Sequence, residues 1–328
     1  MRPWRARAGR LRLLVMAVSD RCDQRCRHCQ IWEGATSPAL SLEERLRVVD
    51  EALTAGVTEA LLTGGEPLLS ADLWPVAERL HAGGARLMLA TNGMLLGRYA
   101  RDVARLFDEV YVSLDGPDAA VHDAQRGVAA FSRVAAGVSA LRATAPALPV
   151  TARSVLHAGS IDAFAETIAA ARDLGCHRLS FLPLDASSGA FGRQPRERER
   201  LLPSAAQMLR FESEVERLRR AGAFEDGFVA ESPEKLRRVA AHLRASAGQG
   251  THVRPECDAP WWSSVVEADG TLRPCFFQPA VGDVRAGLAA LRRSESYRRA
   301  LSSIRSENET CARCVCPKRR GGALGVWA

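Results

Sequence analysis

The chain has 328 residues, 47% of them apolar and 25% charged, the composition of an ordinary soluble globular protein. This length is long for one compact core and short for two full-sized domains, so one large domain with a smaller appendage is expected. The net charge of +7, from 45 Lys plus Arg against 38 Asp plus Glu, sits largely in short runs at Met1–Arg12, Arg193–Arg200 and Lys318–Arg320; it reads as solvated Arg-rich faces, and no recognised nucleic-acid module is present.

The first apolar run, Leu13–Val18, is about six residues, below the roughly 7–15 of a signal-peptide core. Leu11–Val18 is therefore read as a buried first strand. No stretch approaches the roughly 20 apolar residues of a membrane span, so a cytoplasmic protein with no membrane partner is expected. Further strands are expected at Val57–Leu62, Arg86–Ala90, Glu109–Leu114, Leu148–Leu156 and His177–Leu182. Helical patterns fall between them at Leu42–Ala55, Ala71–Ala82, Arg98–Phe107, Ala119–Ala143 and Ser160–Leu174. Gly56, Gly83-Gly84 and Gly175 stand where helices should stop. Six βα repeats mean parallel strands with right-handed helical crossovers, either an open sheet or a partial barrel. After Leu184 the pattern changes. Asp185–Arg200 is a Gly-, Ser- and Arg-rich connection whose arginines could meet an anionic group on a substrate. Pro203–Arg220 and Pro233–Ala245 read as helices, Val265–Cys275 as a β-hairpin centred on Asp269-Gly270, and Ala286–Ile304 as one or two helices.

Nine cysteines stand at positions 22, 26, 29, 176, 257, 275, 311, 314 and 316. Without a secretion signal a disulfide framework is not expected, and their clustering near both ends points to metal ligation. Cys22-x3-Cys26-x2-Cys29 follows the first strand. Three thiolates for four irons leave one iron open, which turns a structural centre into a reactive one; the alternative is a zinc knuckle completed from outside, by His28 for instance. Thr63-Gly64-Gly65-Glu66-Pro67 follows the second strand. By itself it is an ordinary turn, but two glycines let a backbone approach a ligand and offer carbonyls to an ammonium group, beside the negative charge of Glu66. Thr91-Asn92-Gly93 and Ser113-Leu114-Asp115-Gly116 end the third and fourth strands, where barrel enzymes place ligand contacts. Cys257-x17-Cys275 and Cys311-x2-Cys314-x-Cys316 offer five ligands for four places, with a structural zinc site as the alternative. Cys176 reads as core, and His122, His157, His242 and His252 show no ligand spacing. Trp261-Trp262 either walls a pocket or packs beside the hairpin.

The N-terminal triplet, with the Gly-Gly-Glu-Pro segment one strand later, resembles the signature of the radical S-adenosylmethionine (SAM) superfamily. The run from Ser113 through His122-Asp123, Arg126-Gly127 and Phe131 resembles its subgroup with C-terminal SPASM or twitch cluster domains. The resemblance implies an α/β fold: a partial (β/α)6 TIM-like barrel over residues 1–184, a helical linker over 185–253 and a small α+β twitch/SPASM-like iron–sulfur domain over 254–328. It implies a 4Fe-4S cluster on Cys22, Cys26 and Cys29 whose open iron is chelated by SAM. His28 would lie near the adenine, Gly64, Gly65, Glu66 and Pro67 would hold the SAM amino group, and Asn92 and Ser113 would contact the cofactor. Arg153 would pair with the SAM carboxylate, and Asp115 would line the substrate side as a catalytic residue. An auxiliary 4Fe-4S cluster would draw on Cys257, Cys275, Cys311, Cys314 and Cys316, with Cys314 or Cys316 spare.

The implied activity is oxidoreductase-type radical chemistry. An electron from a donor such as flavodoxin or ferredoxin cleaves SAM to methionine and a 5′-deoxyadenosyl radical, which takes a hydrogen atom from a substrate C–H bond. Two substrate classes compete: a sugar- or aminocyclitol-like small molecule, and a ribosomally made peptide. With the first strand at about residue 11 and no fused peptide-recognition domain before it, the small molecule is the expectation. A non-catalytic iron–sulfur or zinc scaffold is the third reading, but it would need neither Gly64-Gly65-Glu66 nor Ser113-Leu114-Asp115.

Overall fold

The computed structural model describes residues 8–34, 38–186, 188–190, 200–305 and 308–314. Strands β1 (Leu13–Ala17), β2 (Glu59–Thr63), β3 (Arg86–Thr91), β4 (Glu109–Ser113), β5 (Val150–Leu156) and β6 (Arg178–Pro183) pair in parallel, each with its sequence neighbour. All five residues of β1 are buried, which is why it reads as an unbroken apolar run rather than an alternating one. Helices α1 (Leu42–Thr54), α2 (Leu73–Ala82) and α3 (Ala100–Leu106) cross between the first four strands, each burying one apolar face such as Val48, Val49 and Ala52 of α1. Ser41 and Glu44 form a reciprocal capping box at the start of α1, which satisfies donors the helix cannot bond itself.

The single helix expected over Ala119–Ala143 is two. Helix α4 (Ala119–Arg126) ends on Gly127 in the left-handed region, φ +68°, and α5 (Phe131–Thr144) begins after a short turn. Asp123 Oδ1 accepts from the backbone N–H groups of Ala130 and Phe131 at 2.9 and 2.8 Å, so the break is held by a side chain whose capping role an amphipathic pattern does not register. Helix α6 (Phe164–Asp173) then crosses from β5 to β6 and completes the fifth repeat.

Among the described residues nine strands form one sheet in the order β6-β5-β4-β3-β2-β1-β7-β8-β9. Strand β7 (Ser263–Val266) runs parallel to β1, with Leu13 opposite Ser263 and Met16 opposite Val266. Strands β8 (Thr271–Arg273) and β9 (Gly282–Asp283) follow antiparallel. The expected hairpin therefore forms, and its first strand also lengthens the barrel sheet. The architecture is a partial TIM-like barrel flanked by helices, with a smaller C-terminal α+β portion.

At the opposite edge, helices α7 (Ala205–Arg220) and α8 (Pro233–Ser246) pack on each other. Residues 228–230 pair with β6: the Leu179 N–H donates to the Phe228 carbonyl and the Ala230 N–H to the Leu179 carbonyl, both at 2.8 Å. Glu231, buried, accepts from Ser180 Oγ at 2.9 Å and the Phe181 N–H at 2.8 Å. These bonds staple the start of α8 to the barrel rim. The C-terminal helices are α9 (Ala259–Trp262), α10 (Leu288–Arg293), α11 (Glu295–Arg305) and α12 (Glu309–Ala312). Among the described residues no helix is long and apolar enough to cross a membrane.

Candidate active site

A cavity of about 300 Å³ opens at the C-terminal ends of the parallel strands. On one side it is lined by Cys22, Cys26 and Cys29 of the loop after β1, and on the other by Phe276, Phe277 and Cys314 of the C-terminal portion. One space thus joins the two cysteine groups.

The N-terminal cysteine loop is held by close backbone contact. The Gly65 N–H donates to the Ser19 carbonyl and the Glu66 N–H to the Arg21 carbonyl, both at 2.7 Å. A Cβ on Gly64 would lie 2.2 Å from the Ser19 carbonyl oxygen, and one on Gly65 2.3 Å from that of Arg21. The glycine pair is required by this crossing of two backbones. On its other flank the loop docks on the end of α4: the Arg25 N–H reaches the Arg126 carbonyl at 2.9 Å and the Arg27 N–H the Gln125 carbonyl at 3.0 Å. Those are carbonyls a helix end leaves without intrahelical partners.

Cys22, Cys26, Cys29, His28, Gly64 and Gly65 all line the cavity, and so do Asn92, Ser113 and Arg153. Asn92 Nδ2 donates to Asp23 Oδ1 at 2.6 Å and lies 3.9 Å from Cys22 Sγ. Ser113 Oγ reaches the Thr91 carbonyl at 3.4 Å, and the Arg153 guanidinium lies 4.2 Å above the Tyr111 ring. Glu66, Pro67 and Asp115 are buried behind the wall rather than on it. Both oxygens of Glu66 are engaged by the chain: Oε1 accepts from the Leu68 N–H at 3.0 Å and Thr91 Oγ1 at 2.7 Å, and Oε2 from the Asn92 N–H at 2.7 Å. Burial pushes its carboxyl up to about 7, against the lowering effect of these donors. Asp115, expected on the substrate side, instead accepts from the Val155 N–H at 2.8 Å and pairs with Arg126 Nη2 at 2.7 Å, with His28 Nε2 at 3.8 Å. Burial raises its carboxyl, but Arg126 and then His28 outweigh that and hold it below the ordinary range.

The donor set suits a thiolate-bound cluster. N–H groups are aimed at sulfur: the Gln24 N–H at Cys22 Sγ (3.5 Å) and Arg126 Nη1 at Cys26 Sγ (3.6 Å). Burial pushes Cys22 up to about 11 and raises Cys26, so a metal centre must displace the thiol protons as it binds. Among the described residues no three His, Cys, Asp or Glu converge where one ion could be held. At the far end, Cys275 and Cys311 are pushed up by burial to about 12 and 11, and both feel Cys257 as a neighbour. Gln278 Nε2 lies 3.2 Å from Cys311 Sγ, and the Cys314 N–H donates to the Cys311 carbonyl at 3.3 Å. Cys316 and most of the Arg-rich connection to Arg200 lie outside the described residues.

Two features escaped the sequence reading. Arg126, noted only as part of a motif, stands between Cys26 and Asp115. Lys235, Val239 and His242 of α8 form one wall of the cavity, although their spacing of four and three residues is that of any packed helix face. Trp261 and Trp262 pack in the core away from the cavity, and Cys176 is buried as expected.

A model of the radical SAM superfamily matches residues 16–171, and one of an iron–sulfur cluster-binding domain, SPASM, matches 257–315. A GTP 3′,8-cyclase of Streptomyces coelicolor is 30% identical over 84% of this chain and 80% of its own length. A PqqA peptide cyclase of Streptomyces rochei is 32% identical over 66% of this chain and 60% of its own. The chain spans little more than half the length of several curated relatives. Among solved structures, SuiB of Streptococcus suis bound to its precursor peptide SuiA superimposes with a TM-score of 0.68 at 15% identity, over 95% of this chain and 72% of that one; this is a likeness of fold.

Proposed function

Because this chain belongs to the radical SAM superfamily and is an enzyme of that class with iron–sulfur and SAM cofactors, we propose that it abstracts a hydrogen atom from a peptide substrate held between two iron–sulfur clusters. When bound, a four-iron cluster with one iron unligated by protein supplies the electron that cleaves SAM and yields the 5′-deoxyadenosyl radical. Cys22, Cys26 and Cys29 hold that cluster, and Cys257, Cys275, Cys311 and Cys314 hold a second. Gly64 and Gly65 present backbone carbonyls to the SAM ammonium group, Arg153 takes its carboxylate, and His28, Asn92 and Ser113 line its bed. Glu66 and Pro67 act from behind by fixing the strand ends. The cavity wall of Phe276, Phe277, Val239 and Trp32 excludes water from the reacting carbon.

The observation that carries the peptide reading is the likeness to a relative that acts on a peptide, the PqqA peptide cyclase of Streptomyces rochei, 32% identical over 66% of this chain. The small-molecule expectation is accordingly the second reading, favoured by the longer alignment with a GTP 3′,8-cyclase.

The test is isotopic. Anaerobically reconstituted, dithionite-reduced enzyme is given SAM and peptides encoded beside its reading frame, synthesised with deuterated residues. Deuterium transferred from a peptide into 5′-deoxyadenosine is expected. Transfer from deuterated GTP or aminocyclitols, and from none of the peptides, would reject the proposal.

A further inference from the structure

Arg126 is the last residue of α4 and is 6% exposed. Its guanidinium is divided between two neighbours, with Nη1 3.6 Å from Cys26 Sγ and Nη2 2.7 Å from Asp115 Oδ2. Its own carbonyl accepts from the Arg25 N–H, so the loop bearing Cys26 is gripped by both backbone and side chain of one residue. Asp115 is equally fixed, since Oδ1 accepts from the Val155 N–H and its own N–H donates to His122 Nδ1 at 3.1 Å. A permanently charged planar fork is locked between a sulfur and a carboxylate, with little solvent to screen either.

We infer that Arg126 and Asp115 are an opposed pair of positioning residues that set the reduction potential of the cluster on Cys22, Cys26 and Cys29, Arg126 favouring the reduced state and Asp115 disfavouring it. The inference rests on the cluster assignment made above. Reduction adds one electron to a sulfur-rich centre. Hydrogen bonds to ligand sulfurs and nearby charge are the protein's means of setting its potential. Arg126 places an N–H and a positive charge directly on Cys26 and so stabilises the added electron. Asp115 stands one residue further away with the opposite sign, so its effect is smaller and reversed. It also compensates the guanidinium, which unpaired would be costly to bury.

The test is a redox titration of the full-length, anaerobically reconstituted protein. It follows the paramagnetic resonance signal that changes on adding SAM, with iron counted in every sample. At the potential where the wild-type cluster is half reduced, Arg126→Gln should lower the reduced-to-oxidised ratio at least about tenfold, which for one electron is about 59 mV. Asp115→Asn should raise that ratio severalfold, and Arg126→Lys should lower it less than Arg126→Gln. The Arg126→Gln/Asp115→Asn double variant leaves no buried charge unpaired, guards against simple unfolding, and should fall between the two single variants. Iron-loaded single variants with unmoved potentials, or with shifts of the same sign, would overturn the inference. So would an unchanged potential with a raised KM for SAM, which would make Arg126 a cofactor-binding residue. Wild-type protein that binds no iron would overturn the cluster assignment as well, which separates the two failures.

Discussion

Gly65→Ala should release the cysteine loop. The added Cβ would lie 2.3 Å from the Arg21 carbonyl oxygen and 2.6 Å from its carbon. Both are backbone atoms, so no rotamer change can relieve the clash. Side-chain carbons essentially never approach a heavy atom within 3.0 Å, so the two chains must separate by about 0.7 Å, the difference between 3.0 and 2.3 Å. The hydrogen bonds from Gly65 to Ser19 and from Glu66 to Arg21, both 2.7 Å, would stretch towards 3.4 Å, where such bonds are weak. Overpacking of this kind costs about 1–3 kcal/mol, and two weakened bonds add about 1 kcal/mol. Denaturant unfolding should therefore show a loss of about 2–4 kcal/mol, and iron at the N-terminal site should fall. Gly84→Ala is the control, because nothing lies within 4 Å of the missing Cβ of Gly84; its φ of +77°, a strain Gly65 does not share, should cost about 1–2 kcal/mol and leave iron unchanged. A Gly65→Ala protein with wild-type stability and full iron would refute the crossing-backbone account.

Further outcomes follow from the buried groups behind the cavity. Glu66→Gln offers one acceptor oxygen where three donors now converge, so at least one N–H or O–H is left facing an amide, at a cost of about 1–3 kcal/mol. Since burial pushes Glu66 from about 4.5 up to about 7, the folded chain holds a proton there that the unfolded chain has released, so wild-type stability falls as pH rises through that window while the Gln variant's does not. The cost of the substitution should therefore be largest below about pH 4.5 and shrink towards pH 7; a cost that grows with pH, or does not change, would contradict a buried carboxyl at this position. His122 is depressed to about 4 by burial and then by Arg126, and its Nδ1 accepts the Asp115 N–H. The unfolded chain then binds more protons than the folded one between about pH 6.5 and 4, so stability rises with pH through that window and is lost as pH falls through it. This amounts to about 3 kcal/mol in wild type. In His122→Asn, whose side-chain carbonyl can accept the same N–H, stability should fall less over that window. An identical pH slope in both proteins would count against a buried neutral His122.

The six parallel strands were legible because each is short, apolar and bounded by turn chemistry, and the crossover rule leaves few ways to arrange them. The cysteine triplet was legible because its ligands lie within eight residues. What escaped depends on contacts far apart in sequence. The break after Arg126 turns on one glycine and the capping by Asp123, neither of which changes the apolar periodicity of Ala119–Ala143. Arg126 meets Cys26 across 100 positions, and no local pattern tells a buried, paired arginine at a helix end from a solvated one. The parallel pairing of β7 with β1 joins the two ends of the chain, so the C-terminal hairpin read from its own residues gave no hint that it would extend the barrel sheet. Lys235, Val239 and His242 carry no motif; they become cavity wall only because Glu231 staples α8 to the exposed edge of β6.

The central claim is that three thiolates at one end of the shared cavity hold a cluster able to cleave SAM. The most direct measurement compares wild type with a Cys22→Ala/Cys26→Ala/Cys29→Ala variant after anaerobic reconstitution and reduction, counting iron and assaying 5′-deoxyadenosine by mass spectrometry. Wild type should produce 5′-deoxyadenosine; the variant should produce none while keeping the iron bound at its C-terminal cysteines. An iron-loaded wild type that leaves SAM intact, or a variant that cleaves it at the wild-type rate, would contradict the account.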